Sequence, residues 1–238
     1  MSGEKGSRIR ATLDIVASVA MTVAALGIVW AVIGTRRAPP IQEGGEVQIP
    51  AEPVSFDPRT RLGQAEAPVV MLVFSDFECP YCGTFALNVL PSVKAEYLTP
   101  GLVQIGFRHL PLTTIHPGAQ RAAEAAACAA RQDRFWAFHD ELFRNQRDLS
   151  ETSIMLYARR VGLEESAFRT CLADEPDVVI AADIKLARSL NVESTPVVLV
   201  GLRTSENLVQ VKSVVRGARP IDDFRAALNP LVEQQQRN

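Results

Sequence analysis

The sequence has no excess of charge of either sign, few cysteines and few aromatic residues. Its 25 Lys and Arg residues nearly balance 27 Asp and Glu residues, which leaves a net charge of −2 at pH 7. Because no basic footprint is present, we exclude nucleic-acid binding. Four cysteines in 238 residues are too few for a disulfide-stabilised scaffold but enough for one redox or metal site. With 47% hydrophobic and 22% charged residues, the composition is neither disordered nor collagen-like.

Charge is missing altogether from one long stretch near the amino terminus. Residues 15–34 read IVASVAMTVAALGIVWAVIG, 20 residues without a charged side chain. A helix of that length spans about 30 Å, the thickness of the hydrocarbon core of a bilayer. The alternative is a cleaved signal peptide, whose apolar run is usually about 7–15 residues long. We therefore predict an uncleaved, single-pass anchor in the cell membrane through residues 15–34, and either alternative places the rest of the chain on the extracytoplasmic side.

Prolines concentrate in the segment that follows. Five prolines and a Gly-Gly pair between residues 38 and 60 are typical of a semi-extended linker. We assign residues 1–37 to a cytoplasmic tail and the anchor, residues 38–60 to this linker, and residues 61–235 to one folded domain. A helical insertion at about 113–190 interrupts that domain.

The folded domain begins as strand–helix–strand and ends as two strands and a helix. The apolar, β-branched run 68–74 is typical of a strand buried on both faces. We expect Pro91 to bend the helix that follows. Together the patterns predict an α/β domain with a mixed sheet. Its elements are a strand at 68–74, a helix at 80–97, a strand at 102–107, only helix-compatible stretches over 118–190, strands at 197–200 and 208–215, and a helix at 220–232.

A pair of cysteines lies where the first strand meets its helix. Cys79 and Cys82 are three residues apart, which puts them on one face of the first helical turn, close enough for a disulfide after slight tightening. Pro80 fits the first helical position because its missing N–H has no partner there. Unpaired N–H groups at a helix N-terminus stabilise an anion. We therefore predict that Cys79, at the mouth of the helix, is the attacked sulfur and that Cys82 is the resolving one.

A zinc site and an inert disulfide are the two alternatives for this CxxC. Zinc needs two further ligands, and the sequence has no second CxxC and no HxxxH. Cys128 and Cys171 could complete a four-cysteine set, but both lie within helical patterns. Redox chemistry is therefore our interpretation, and we predict no metal.

Four stretches together resemble the DsbA-like thioredoxin family. They are FSDFECPYC with its following helix, FRHLPL at 107–112, AACAARQDRFWAFHDELF from Ala126, and STP at 194–196. The resemblance runs from about Phe56 to Leu231. It implies a thioredoxin fold, a mixed central sheet flanked by helices, with a helical insertion, and here preceded by one N-terminal transmembrane helix. It also implies thiol–disulfide exchange outside the cytoplasm of a bacterium.

The resemblance gives a role to Thr195 and Pro196. In the family, a cis-proline loop faces the CxxC, presents backbone to the substrate chain as an added β-strand would, and keeps metal from the thiols. Without the resemblance, Thr-Pro before a strand is an ordinary trans turn. Tyr81 stands where the best-known member has histidine and contributes no positive charge, so we expect a milder oxidant.

The second cysteine pair, Cys128 and Cys171, lies in two helices of the insertion. An oxidising compartment and an even cysteine count favour a structural disulfide between them. Two buried thiols that act as small hydrophobic residues are the alternative.

Weaker candidates are the acids beside the CxxC and the histidines. Asp76 or Glu78 could move a proton to or from Cys82, although an acid at a helix start is more often a capping or solvated residue. The three histidines lack ligand-like spacing, and we interpret them as surface or packing residues. They are His109, His116 and His139.

The sequence thus predicts a membrane-anchored thiol–disulfide oxidoreductase that introduces disulfide bonds into extracytoplasmic, cysteine-containing proteins through Cys79 and Cys82. The resemblance implies a quinone-linked membrane partner of DsbB or VKOR type that reoxidises the pair, and no cofactor is expected. Two alternatives stay open. One is a reductase or isomerase with the same site, and the other is a non-enzymatic tethered binding domain whose CxxC bridge is static.

Overall fold

The structure is a computed structural model, and it describes residues 45–174 and 177–237. The membrane anchor that we predict at 15–34 lies outside these residues. Within the described ranges, no helix combines the length and the apolar character needed to cross a bilayer. All of the described residues belong to one compact unit.

A mixed sheet of six strands forms the centre of this unit, as the sequence predicts. The strand order is β1-β6-β5-β3-β4-β2, in which β3 and β4 run parallel and the other neighbours are antiparallel. The strands are β1 Val54–Ser55, β2 Arg61–Leu62, β3 Val69–Ser75, β4 Val103–His109, β5 Val197–Ser205 and β6 Leu208–Arg216.

The short edge strand β1 extends the sheet into the segment that we predicted as linker. Val54 and Phe56 are buried, and Val54 pairs with Val209 of β6. A 3-10 turn at Pro58–Thr60 then leads into β2, and Thr60 is fully enclosed. The ordered domain therefore begins before Arg61.

Helices cover both faces of the sheet and build the insertion. The first, α1, consists of four consecutive segments, Pro80–Thr84, Phe85–Val89, Leu90–Val93 and Lys94–Leu98, of which the second and fourth are π-helical. The insertion between β4 and β5 consists of helices, as predicted. They are α2 Ala119–Ala130, α3 Phe135–Arg144, α4 Glu151–Arg160, α5 Glu165–Asp174 and α6 Asp177–Ser189, and after β6 the described chain ends in α7 Ile221–Arg237.

The wide turns of α1 lie on both sides of Pro91. Proline has no N–H to donate within a helix, and the neighbouring Leu90 N–H bonds to Phe85 O, five residues back. π-type turns therefore flank Pro91, and the bend that we expected there stays a prediction.

Strand β3 explains how the layers are assembled. Its residues alternate between the two faces of the sheet. Val69, Met71 and Val73 pack with α1 and with Phe224 of α7, whereas the alternate residues pack with α6 and the amino-terminal segment. All seven residues of β3 are buried, which accounts for the continuous apolar run in the sequence.

Candidate active site

The CxxC lies at the junction of β3 and α1, where the sequence predicts it. The strand ends at Ser75, and α1 begins at Pro80, with Cys79 as the N-cap residue in an extended conformation (φ −69°, ψ 121°). Both cysteines are free thiols; Cys79 is 4% exposed and Cys82 is fully buried. Hence Cys79 is the less enclosed of two buried thiols.

The Thr195-Pro196 loop faces the first sulfur, as the family resemblance implies. The peptide bond between Thr195 and Pro196 is cis. The Cys79 thiol donates to the Thr195 carbonyl oxygen at 3.5 Å. Pro196 O accepts a hydrogen bond from Gly217 N, so the loop is tied to the end of β6.

The surroundings of Cys79 favour its thiolate. The hydrogen bond from the Cys82 thiol is the largest cause that lowers the pKa of Cys79, to about 5. The Thr195 side chain and the backbone N–H groups of Tyr81 and Cys82 also lower it, whereas burial opposes them. The helix N-terminus that we predicted to stabilise the anion therefore acts through two specific amides and the second thiol.

The surroundings of Cys82 have the opposite effect. Burial raises the pKa of Cys82 well above its usual value, and the hydrogen bond and negative charge of Cys79 raise it further. The sulfur also accepts a hydrogen bond from Asp76 N at 3.4 Å. In the reduced pair a negative charge is therefore favoured on Cys79 and disfavoured on Cys82.

The carboxylates of Asp76 and Glu78 bind the loop between β4 and α2 rather than a sulfur. The fully buried Asp76 carboxylate accepts hydrogen bonds from Glu78 N and Leu112 N and pairs with His116 Nδ1, each at 2.8 Å. Glu78 Oε2 accepts from Gly118 N at 2.6 Å. Among the described residues, no hydrogen bond joins either carboxylate to Cys79 or Cys82. These contacts hold the loop before α2 against the active-site turn. Proton transfer by either acid stays a prediction.

His116 contacts the active-site loop, which its position in the sequence does not predict. Its partner Asp76 lies 40 residues away in the sequence, and no spacing rule relates positions that far apart. His109 and His139, by contrast, are packing residues. Both are buried against Phe77 and Phe107.

The second cysteine pair is joined in a disulfide. Cys128 of α2 and Cys171 of α5 have Cα atoms 5.8 Å apart and are bonded to each other. Because their sulfur atoms are bonded to each other, these two cysteines have no thiolate to offer a zinc site with Cys79 and Cys82.

The fold and the CxxC agree with a known family. A family model described as "Thioredoxin" matches residues 57–216, which is more than half of the chain. The chain belongs to the thioredoxin family.

A sequence relative and two solved structures support this assignment. "Probable disulfide bond formation protein D" of Bacillus anthracis is 32% identical over 147 residues, 62% of this chain and 63% of that protein. Wolbachia pipientis alpha-DsbA1 aligns with a TM-score of 0.61 at 25% identity, over 74% of this chain and 91% of that one. A thioredoxin-like oxidoreductase from Silicibacter pomeroyi gives 0.61 at 27% identity, over 76% and 95%. The chain is thus similar to DsbA-type members of the thioredoxin family.

Other relatives are much longer proteins. "Na(+)/H(+) antiporter NhaA 3" of Salinispora tropica is 39% identical over 159 residues, which are 66% of this chain but 23% of that protein. This thioredoxin-family chain therefore spans about a quarter of such relatives. The alignment of 159 residues is longer than the segment that precedes residue 45, where the described domain begins. The similarity to the antiporter therefore includes part of the thioredoxin domain.

Proposed function

We propose that the protein introduces disulfide bonds into cysteine-containing proteins on the extracytoplasmic side of the membrane. The observation that carries the proposal is the divergence of the two cysteines, in which the pKa of Cys79 is lowered to about 5 and that of Cys82 is raised. A stable thiolate stabilises the reduced form of the enzyme. An enzyme whose reduced form is stable is a good oxidant.

The reaction takes two exchange steps. A substrate thiolate attacks Cys79 Sγ of the Cys79–Cys82 disulfide, and the Cys82 sulfur leaves and takes up a proton. The second substrate thiolate then attacks the substrate sulfur of the mixed disulfide and displaces the Cys79 thiolate. The low pKa of Cys79 makes it a good leaving group in this second step. The substrate loses two electrons, which the enzyme gains as the dithiol.

Turnover requires reoxidation of the pair. We expect a quinone-linked membrane partner of DsbB or VKOR type to accept the two electrons. An anchor through residues 15–34 would hold the domain close to such a partner. The exposed Tyr81 side chain next to Cys79, 67% accessible, supports a site that admits other proteins.

The reduction potential of the Cys79–Cys82 pair against glutathione tests the direction of the reaction. We expect a value closer to about −120 mV, as in DsbA, than to about −270 mV, as in thioredoxin. A Cys79→Ser variant should lose oxidation of a reduced, unfolded test protein. A potential near that of thioredoxin would favour the reductase alternative, and a pair that glutathione and dithiothreitol leave oxidised would favour a static bridge.

The location can be tested in intact cells. A membrane-impermeant maleimide should label Cys79 of the reduced protein, while a Cys79→Ser/Cys82→Ser variant serves as the control for labelling elsewhere. Labelling that appears only after lysis would contradict an extracytoplasmic site.

A further inference from the structure

A glutamine of the insertion holds the backbone on both sides of Glu78. Gln146 lies in the loop after α3, and its Nε2 donates to Phe77 O at 2.7 Å and to Cys79 O at 3.0 Å. Carbonyl oxygens only accept hydrogen bonds, so both hydrogens of the amide are used. Cys79 O also accepts the first helical bond of α1, from Gly83 N at 3.1 Å. The insertion thus contacts the peptide of the reactive cysteine itself.

The residue after the CxxC leaves room for this amide. A Cβ atom at Gly83 would lie 2.1 Å from Gln146 Oε1 and 2.9 Å from its Cδ. Gly83 is inside helix α1 and does not have a positive φ, so its backbone does not require glycine. Alanine at a helical position is more favourable than glycine by about 1 kcal/mol. The close approach of Gln146 is therefore the reason we assign to glycine at this position.

We propose that Gln146 is a positioning residue for thiol–disulfide exchange at Cys79, and that Gly83 admits it. Two carbonyls that converge on one amide nitrogen fix the turn 77–79 that leads into α1. This turn aims the Tyr81 and Cys82 N–H groups at the Cys79 sulfur. The amide also offsets the partial negative charge of the Cys79 carbonyl next to the thiolate. The inference rests on the proposed function only in that Cys79 is taken as the attacked sulfur.

Replacement of Gln146 should weaken the thiolate. In Gln146→Ala we expect the midpoint of the Cys79 titration, measured by thiolate absorbance at 240 nm and by the rate of alkylation, to rise by about half a unit to one unit. The equilibrium with glutathione should shift about fivefold toward the disulfide form. Gln146→Glu, which keeps the shape but replaces the donor with a carboxylate, should raise the midpoint at least as far.

The neighbouring residue provides a matched control. Asn145 lies in the same loop, but its Nδ2 donates to Glu141 O of α3 at 2.7 Å. Asn145→Ala therefore loses a comparable hydrogen bond away from the active site. It should leave the titration midpoint of Cys79 unchanged.

Gly83→Ala tests the same contact from the other side. In the presence of Gln146 the new methyl group should displace the amide and raise the Cys79 midpoint. In the double variant Gly83→Ala/Gln146→Ala the methyl group meets no glutamine, so the shift should not exceed that of Gln146→Ala alone. Two single effects that add would contradict a shared contact.

A purely structural role predicts a different pattern. If Gln146→Ala and Gln146→Glu lower the melting temperature but keep the wild-type Cys79 midpoint and glutathione equilibrium, the inference is wrong. This result is distinct from failure of the proposed function, which would appear in the wild-type protein as a potential near that of thioredoxin, whatever the variants do.

Discussion

At the scale of single residues, the site separates two chemically identical side chains. Cys79 and Cys82 are one helical turn apart, yet their surroundings lower the pKa of the first and raise the pKa of the second. The cause is position, since Cys79 receives hydrogen bonds at the helix mouth whereas Cys82 is enclosed. The order of attack therefore follows from burial and hydrogen bonding, and needs no cationic side chain at Tyr81.

The second thiol should set the acidity of the first. Because the Cys82 thiol is the largest cause of the low Cys79 pKa, Cys82→Ala should raise the Cys79 titration midpoint well above 5. Cys82→Ser keeps a hydroxyl donor and should raise it less. Thiolate absorbance at 240 nm measures all three proteins, and identical midpoints would show that the helix N-terminus alone controls the pKa.

Apart from the Cys128–Cys171 disulfide, which the even cysteine count favoured, residue patterns in the sequence were informative over short distances. Cys79, Pro80 and Cys82 are adjacent, so their geometry followed from one helical turn. The contacts of Asp76 with His116 and of Gln146 with Phe77 join positions 40 and 69 residues apart. Such contacts depend on how the insertion folds back on the sheet, which no local spacing encodes.

At the scale of elements, the four long strands of the described domain were predicted from their apolar runs, whereas the two short edge strands were not. Strand β3 is buried on both faces, so its run of apolar residues is unbroken. Strands β1 and β2 have two residues each, too few for any alternation to register. The π-type turns of α1 were likewise not predicted, because they leave no distinct pattern of apolar residues in the sequence.

The disulfide between α2 and α5 is expected to stabilise the insertion without tuning the active site. Its sequence separation of 43 corresponds to about 4 kcal/mol of unfolding free energy in the chain-entropy account. Cys128→Ala/Cys171→Ala should lose roughly that amount in urea unfolding and keep the Cys79 titration midpoint. The matched control is Cys79→Ser/Cys82→Ser, which retains the bridge. A shifted Cys79 midpoint in the first variant would instead couple the two pairs.

At the scale of the whole molecule, the insertion holds the active-site loop through three kinds of contact. Asp76 and Glu78 bind the segment before α2, Gln146 reaches the loop from the end of α3, and Phe77 enters an aromatic cluster. In that cluster Phe77 stacks on Phe107 of β4 at 5.2 Å and lies 5.0 Å from Phe143 of α3. The sheet positions the CxxC, and the insertion fixes the approach to it.

Two buried histidines in this cluster make the whole domain sensitive to acid. Burial lowers the pKa of His109 to about 3 and also lowers that of His139. Neither ring nitrogen of His109 has a hydrogen-bond partner in the described part of the protein. An unfolded histidine titrates near about 6.5, so between that pH and about 3 the unfolded chain binds more protons than the folded one. Stability contributed by neutral His109 is thus fully present above about pH 6.5 and is lost as the pH falls through this window.

Urea unfolding at pH 4 to 7 measures this effect. The unfolding free energy should fall by up to about 1.4 kcal/mol per pH unit for each such histidine below its unfolded pKa. His109→Phe keeps an aromatic ring in the cluster and removes one titrating group, so its slope should be shallower than that of the wild type. Asp57 and Asp140, whose pKa values are lowered by hydrogen bonds, contribute acid sensitivity of the same sign in both proteins, at lower pH. Equal slopes for the two proteins between pH 4.5 and 6.5 would assign the acid response to groups other than His109.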